Sequence, residues 1–499
     1  MDIKLTQDKR FLQIESCNER EYEQVKLSLT KRIDGYRFHP LVKKGLWNGE
    51  ITFIKGNRIP AGLWQEVIDI GKQYKFDVKM SGVTRLFNDD FDKDDFIKWQ
   101  EDFFNNYDKK PRDYQIETAA RILKYRRCLA ELATSAGKSM IMFMVLAYIL
   151  ERALVRRVLL IVPNVSLVIQ ASEDFEDYNQ DQLKLKIQQI GGGAKEIKSD
   201  RNIVIGTYQS LVKKEEDYFQ QFDAVIVDET HKGNASSIRS ILDKCWHCSY
   251  RFGVSGTIPK KGTIDRLSLM SNTGPLIINV NADYLIQREF VTPCQVKIIE
   301  MDYANAQQRE AFYFLSKTAE DRKKLFALEQ NFIASDQKRL DFVSKLIAKV
   351  SKNSLVLFHR IEHGKALYDR LRQIRDVEVF YVDGGTNKDI REMYKKEMES
   401  GEGKILCASF GTFSTGISIN NLHNVFLTES FKSDVIIRQS IGRGLRLHEN
   451  KSMLTIIDLV DDIRWKGDGG RIWQNYLYKH SLKRREIYDE QKFPYEIKK

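Results

Sequence analysis

Short apolar runs recur along this chain, each followed by a longer stretch with helical period. Between residues 99 and 282 the runs are Cys128–Leu132, Val158–Val162, Ile203–Ile205 and Ala224–Val227. After residue 331 the rhythm returns in Leu355–Phe358, Val377–Val382, Ile405–Ala408, Val425–Leu427 and Leu454–Ile457. Strands of Val, Ile and Leu without polar alternation are buried on both faces, as in a parallel sheet covered by helices on each side. The pattern therefore predicts two α/β domains in tandem, at 99–282 and 332–463. Residues 1–98 differ, with short alternating segments mixed with basic and aromatic positions that predict a small α+β domain. They end in the acidic run Asn88–Asp95, a solvated boundary or the start of a helix. Residues 283–331, with Gln295–Ile299 and a charged helical stretch, are expected to be a hinge. Residues 464–499 are expected to be a basic helical extension.

Charge sharpens this division. The 499 residues carry 80 Lys/Arg against 69 Asp/Glu, a net +11. Residues 1–88 hold 16 basic and 11 acidic side chains, and residues 464–499 hold 10 and 5, so the middle is nearly neutral. Basic ends on a neutral body suggest an engine with polyanion-gripping attachments. No apolar run approaches the ~20 residues of a membrane span, and the N-terminus lacks a signal-like apolar core. The six scattered cysteines argue against a disulfide framework and for a reducing compartment. A cytoplasmic protein (host cytoplasm for a phage protein) with no membrane partner is expected. The run Cys245-Trp246-His247-Cys248 has no second ligand pair at matching spacing, so it does not make a zinc site.

The chemistry is concentrated at strand ends. After Cys128–Leu132 come Thr134, Ser135, Ala136, Gly137, Lys138 and Ser139, then the apolar helix Met140–Leu150. Strand, tight loop, Gly-Lys-Ser and helix are the context of a nucleotide P-loop. Backbone N–H groups and the helix N-terminus would surround the phosphates of ATP. Lys138 would reach the β- and γ-phosphates, and Ser139 would ligate Mg²⁺. Leu132 stands where the usual pattern has its first glycine, which requires a backbone free of positive φ there. The strand Ala224–Val227 delivers Asp228, for Mg²⁺, and Glu229, to orient or deprotonate the attacking water. Gln115, 23 residues before Lys138, has an amide suited to the adenine edge; it could equally cap a helix. In the second α/β unit, Gln439 precedes Arg443 and Arg446, whose spacing of three puts them on one face of a helix. Planar, always-charged guanidiniums suit the charge of a transferring phosphoryl group.

This set resembles the superfamily 2 helicases of the DExH type, over roughly residues 110–460. Gln115 matches the Q motif, Thr134–Ser139 motif I, Asp228–His231 motif II, Ser255-Gly256-Thr257 motif III and Gln439–Arg446 motif VI. Pro163–Leu167 looks like motif Ia, Gly206–Ser210 like the motif after it, and Ser414–Ser418 like motif V. Departures are Leu132, Ser135, and Ser418 in place of an acid. The resemblance implies two tandem RecA-like parallel-sheet domains preceded by the small α+β domain. It implies that Pro163, Ser166, Thr207, Gln209, Thr415 and Gly416 line a nucleic-acid track. His231, Ser255 and Thr257 would couple that track to the ATP site.

A narrower resemblance, to the helicases of phage recombination, rests on Asp34–Pro40, Gly45–Gly49, Thr134–Ser139, Gly191–Gly193, Phe413–Ser418 and Asn475–His480. It implies a 3′→5′ ATP-driven motor on branched or forked DNA, possessing fork-regression, Holliday-junction and R-loop activities, the last bringing in RNA. A monomer is expected. In the N-terminal domain Arg37, Lys43 and Lys44 are the candidates for phosphate contacts; the aromatics among them read first as the core of a small domain. Competing readings are an RNA helicase and a non-catalytic DNA-binding scaffold; the intact ATP-site residues oppose the scaffold.

Overall fold

The computed structural model describes residues 1–190, 198, 200–230, 235–374, 378–414, 419–430, 434–467 and 470–499, with backbone alone at 235–236, 319–323, 414 and 434–436. The chain forms two compact units: Met1–Leu132 with Ala136–Val280, and Ala133–Ser135 with Asn281–Lys499.

The first unit opens with β1 (Asp2–Leu5) and β2 (Phe11–Ser16), which alternate buried and open positions as one-face-covered strands do. Then come β3 (Thr30–Arg32), β4 (Glu50–Thr52), β5 (Arg58–Pro60) and β6 (Lys79–Ser81). The sheet order is β5-β2-β1-β6, while β3 and β4 pair antiparallel as a separate ribbon. The larger sheet uses β7 (Arg127–Leu132), β8 (Val158–Val162), β9 (Ile187–Ile190), β10 (Ile203–Thr207), β11 (Ala224–Asp228), β12 (Tyr250–Ser255) and β13 (Leu276–Val280). Its order is β13-β7-β12-β11-β8-β10-β9 and every pairing is parallel. The helix Lys138–Glu151 buries all of Met140–Ile149, which explains why its sequence is apolar on every side.

Residues 1–98 are not an independent appendage. Their core, with Ile3, Leu12, Leu63 and Val67, runs on into Leu129, Leu267 and Met270 of the larger domain. A Cβ on Gly62 would stand 2.0 Å from the Met270 carbonyl oxygen, so only glycine lets the two backbones meet there. The acidic run resolves as a helix start: Asp92 caps Lys93–Phe103 by accepting from the amides of Asp94 and Asp95.

The second unit contains β14 (Cys294–Met301), β15 (Ser354–Phe358), β16 (Val379–Val382), β17 (Ile405–Ser409), β18 (Asn424–Leu427) and β19 (Leu454–Asp461). A ribbon of β20 (Trp465–Lys466) and β21 (Ile472–Trp473) follows, and β22 (Tyr495–Lys498) ends the chain. The all-parallel sheet has the order β16-β17-β15-β18-β19-β14-β22. Two expectations change here. The segment 283–331 is no simple hinge, because its β14 lies inside this sheet between β19 and β22. The extension 464–499 does contain a helix, but not all of its basic charge is free to grip a polyanion. Its helix Tyr476–Glu490 buries Arg484 completely against Asp458, with Nη2 2.7 Å from Oδ1, and Arg485 pairs with Glu300 at 2.7 Å. Two of the tail's ten cations, Arg484 and Arg485, are therefore structural.

Candidate active site

The P-loop follows the carboxyl end of β7. Leu132 is the last strand residue and is absent from the positive-φ positions, as its place in the motif demands. The turn is taken instead by Ser135 and Gly137, both at φ +73°. Ala136 is buried, and the helix begins at Lys138. Gln115 is buried beside the loop. Its amide nitrogen donates to the Ala136 carbonyl at 3.0 Å, and its oxygen accepts from the Arg112 amide at 2.8 Å. It thus both caps the helix Asp113–Tyr125 and braces the loop. A Cβ at Gly137 would fall 2.3 Å from the Gln115 amide nitrogen. Tyr114 donates its hydroxyl to the same Ala136 carbonyl at 2.9 Å, and Tyr178 lies 3.0 Å from the Ser139 hydroxyl. Neither tyrosine carries a motif signal in the sequence. Replacing Gln115 by alanine removes both braces, so KM for ATP is expected to rise several-fold with a smaller change in kcat; steady-state kinetics at fixed DNA would check this.

Asp228 ends β11 and Glu229 follows at φ +50°, a left-handed backbone that turns its carboxylate toward the loop. The Lys138 ammonium donates to Glu229 Oε1 at 2.7 Å, with both side chains mostly buried. Gly256 offers its amide to the other Glu229 oxygen at 3.4 Å. Ser255 is fully buried at the end of β12 and donates to the Thr257 carbonyl at 2.7 Å, holding this turn closed. The structure thus gathers Gln115, Lys138, Ser139, Glu229 and Ser255–Thr257 around the carboxyl ends of β7, β11 and β12. His231 lies outside the described residues.

The candidate nucleic-acid residues divide. β8 and β10 are neighbours in parallel register, and their carboxyl ends carry Pro163, Ser166, Thr207 and Gln209. Ser166 and Gln209 are exposed, whereas Pro163 and Thr207 are buried. Thr207 spends its hydroxyl capping the helix Tyr208–Leu211. Thr415 and Gly416 fall outside the described residues, as do Gly191–Gly193. At the tip of the β3–β4 ribbon Arg37, Lys43 and Lys44 are exposed. Beside them Phe38 is 78% and Leu46 72% exposed, while Phe53 is buried. Tyr36 lies under the guanidiniums of Arg32 and Arg37, with centroid distances of 5.3 and 5.7 Å. The expectation that these aromatics form a core holds for Phe53 and fails for Phe38.

In the second unit, Gln439 and Arg443 lie on the helix Asp434–Gly444. Gln439 is buried, and Arg443 donates to the Phe413 carbonyl with its guanidinium 5.6 Å from the Phe413 ring centroid. Arg446 does not share that helix face, because the helix ends at Gly444. Gly444 packs where a Cβ would stand 2.9 Å from Leu454, bringing the chain close to β19. Nearby Lys451 donates to the Gly444 and Asn420 carbonyls, and burial pushes its ammonium down to about 8. Cys245 and Cys248 are buried in the apolar core beneath the first large sheet.

A P-loop lysine beside a strand-end Asp-Glu pair, on one of two tandem parallel α/β units, defines the class: a superfamily 2 helicase. Family models agree. One described as DNA helicase UvsW, N-terminal, matches residues 2–81. Type III restriction enzyme, res subunit, matches 108–260, and Helicase conserved C-terminal domain matches 338–448. The chain is 32% identical over 498 residues to the ATP-dependent DNA helicase uvsW of Enterobacteria phage T4, covering 97% of this chain and 96% of that one. It belongs to the UvsW family of ATP-dependent DNA helicases. The crystal structure of T4 UvsW aligns with 100% of this chain and 99% of its own at 29% identity and a TM-score of 0.49. The ATP-dependent Type ISP restriction-modification enzyme LlaBIII, solved bound to DNA, aligns with 86% of this chain and 34% of its own at 15% identity and a TM-score of 0.55, a likeness of fold.

Proposed function

We propose that this helicase remodels branched DNA as a single chain, regressing forks, migrating Holliday junctions and unwinding R-loops with 3′→5′ polarity. The observation that carries the reading is the ribbon tip. It joins exposed Arg37, Lys43 and Lys44 to an exposed Phe38, on the same compact unit as Lys138, Ser139 and Glu229. Cations grip phosphates on either arm of a junction, and an exposed ring stacks on the unpaired base where the arms part.

The ATP site supplies the drive. The amides of the Ser135–Gly137 turn and the start of the helix at Lys138 cradle the phosphates, and Lys138 neutralises charge on the β- and γ-oxygens. The Ser139 hydroxyl and Asp228 carboxylate are hard oxygen donors of the kind Mg²⁺ prefers, and they would hold it. Bound there, the ion offsets charge on the phosphate oxygens. Glu229, fixed by Lys138 and the Gly256 amide, orients water and accepts its proton. Gln439, Arg443 and Arg446 meet the charge that develops on the γ-phosphoryl group. The Ser255–Thr257 turn, touching Glu229 through Gly256, relays occupancy of the site toward the track at Ser166 and Gln209; His231 serves the same coupling.

The combined substitution Arg37→Ala, Lys43→Ala, Lys44→Ala should weaken binding to a synthetic fork and flatten the slope of log K against log salt by about 2–3. Phe38→Ala should weaken it by about 1–3 kcal/mol with the slope unchanged. Fork affinities equal to the parent's in both variants would refute the reading, and equal losses on unbranched RNA would favour an RNA helicase.

A further inference from the structure

The amino ends of β7 and β12 carry an arrangement that the ATP site does not use. Arg127 and Arg251 are direct partners in the parallel register of these strands. They sit about 17 Å (Arg127) and about 13 Å (Arg251) from the carboxyl ends of their strands, at ~3.3 Å per residue, and so at the end of the sheet away from the P-loop. Arg127 is 8% and Arg251 6% exposed. Burying two like charges side by side is costly unless something compensates them. Arg127 donates to the carbonyls of Lys9 at 2.8 Å and Trp246 at 3.1 Å. Arg251 donates to the Leu242 carbonyl at 2.9 Å, and its buried Nε has no hydrogen-bond partner. Among the described residues, neither guanidinium pairs with a carboxylate. Burial and the neighbouring Arg251 push Arg127 down to about 9.

Both line a cavity of about 380 Å³ between the N-terminal sheet and the larger domain, where Arg10, Lys55, Arg58 and Arg239 join them. Among the described residues the one carboxylate in the lining, Asp243, lies 3.7 Å from Arg239. Two aromatic faces complete the wall. Trp246 lies under Arg10 at 5.8 Å, and Phe11 lies under Arg10 at 5.8 Å and Arg58 at 6.0 Å. Guanidiniums match phosphate oxygens in pairs, rings accept a base by stacking, and the volume is that of a small-ligand site.

We propose that this cavity is a second nucleoside-phosphate site, distinct from the P-loop, in which Arg127 and Arg251 inside, with Arg10 and Arg58 at its exposed rim, hold the phosphate and Trp246 stacks on the base. The occupant is a free mononucleotide or one unpaired nucleotide of a strand; the chemistry is shared. The test uses full-length protein carrying Lys138→Ala, so that the P-loop is disabled, with dAMP, inorganic phosphate and a 5′-phosphorylated oligothymidylate as probes. Calorimetric titration should show dAMP binding, and dAMP should raise the melting temperature by linkage. Adding Arg10→Ala and Arg58→Ala, both at exposed positions of the cavity lining, should weaken dAMP at least tenfold. Trp246→Phe should weaken dAMP more than inorganic phosphate. Displacement of dAMP by the oligonucleotide identifies a strand as the source, and its failure to displace identifies a free nucleotide. Absence of dAMP binding, equal dAMP affinity in the Arg10/Arg58 variant, or inorganic phosphate binding as tightly as dAMP would each overturn the assignment. No readout depends on hydrolysis or on branched DNA, so this inference and the remodelling proposal fail separately.

Discussion

Replacing Glu229 by glutamine should lower ATP turnover by about 10²–10⁴-fold, the range for removing a positioned general base. The amide is nearly isosteric, so the Gly256 contact at 3.4 Å and the left-handed turn at residue 229 survive. What is lost is a group able to accept a proton from water and to pair with Lys138 at 2.7 Å. Nucleotide affinity is therefore expected to stay within a few-fold of the parent, giving a kcat defect without a matching KM defect. Single-turnover hydrolysis would separate the chemical step from product release. Parent-like hydrolysis in this variant would remove Glu229 from the catalytic assignment.

The largest stability effect is expected at Arg339→Ala, in the second unit. Arg339 and Asp461 are both fully buried, with Nε 2.6 Å from Oδ1 and Nη2 3.1 Å from Oδ2. Arg339 also donates to the Thr428 carbonyl at 2.6 Å, and Tyr303 donates to Asp461 at 3.0 Å. Removing the arginine leaves a buried carboxylate whose lost partner costs about 3–5 kcal/mol. Denaturant unfolding should show that loss in the transition of this unit. Arg339→Met combined with Asp461→Leu should recover most of it, because no uncompensated charge remains. A loss below 1 kcal/mol in the single variant would show that water or another cation replaces the guanidinium.

The sequence made the two parallel sheets legible wherever strands were unbroken apolar runs, as in Val158–Val162 and Leu355–Phe358. It hid β12, Tyr250–Ser255, because Arg251 and Gly253 interrupt the run. Yet all six residues are buried, since the arginine faces the internal cavity and glycine admits Thr230 and Leu129 at distances no Cβ tolerates. The same limitation disguised β14. Its Gln295, Lys297 and Glu300 interrupt the apolar run, and its place between the two α/β units read as a hinge, although its pairing with β19 and β22 puts it inside a sheet. Of the proposed ATP site, Lys138, Ser139, Asp228 and Glu229 were legible as candidates because the chemistry they would perform fixes both residue type and spacing. Tyr114 and Tyr178 were not, because a supporting hydroxyl can arrive from many places in a fold. Arg446 was misplaced on the helix because spacing alone does not reveal that Gly444 ends it.

The central proposal is that hydrolysis at Lys138 and Glu229 drives movement of DNA arms. The most direct measurement is remodelling of a labelled synthetic fork and four-way junction by the parent and Lys138→Ala proteins, with DNA binding recorded in parallel. The parent should resolve both substrates only when ATP is present, and the variant should bind them but leave them intact. Remodelling by the variant at the parent's rate, or intact junctions in the presence of a parent enzyme that is hydrolysing ATP, would contradict it.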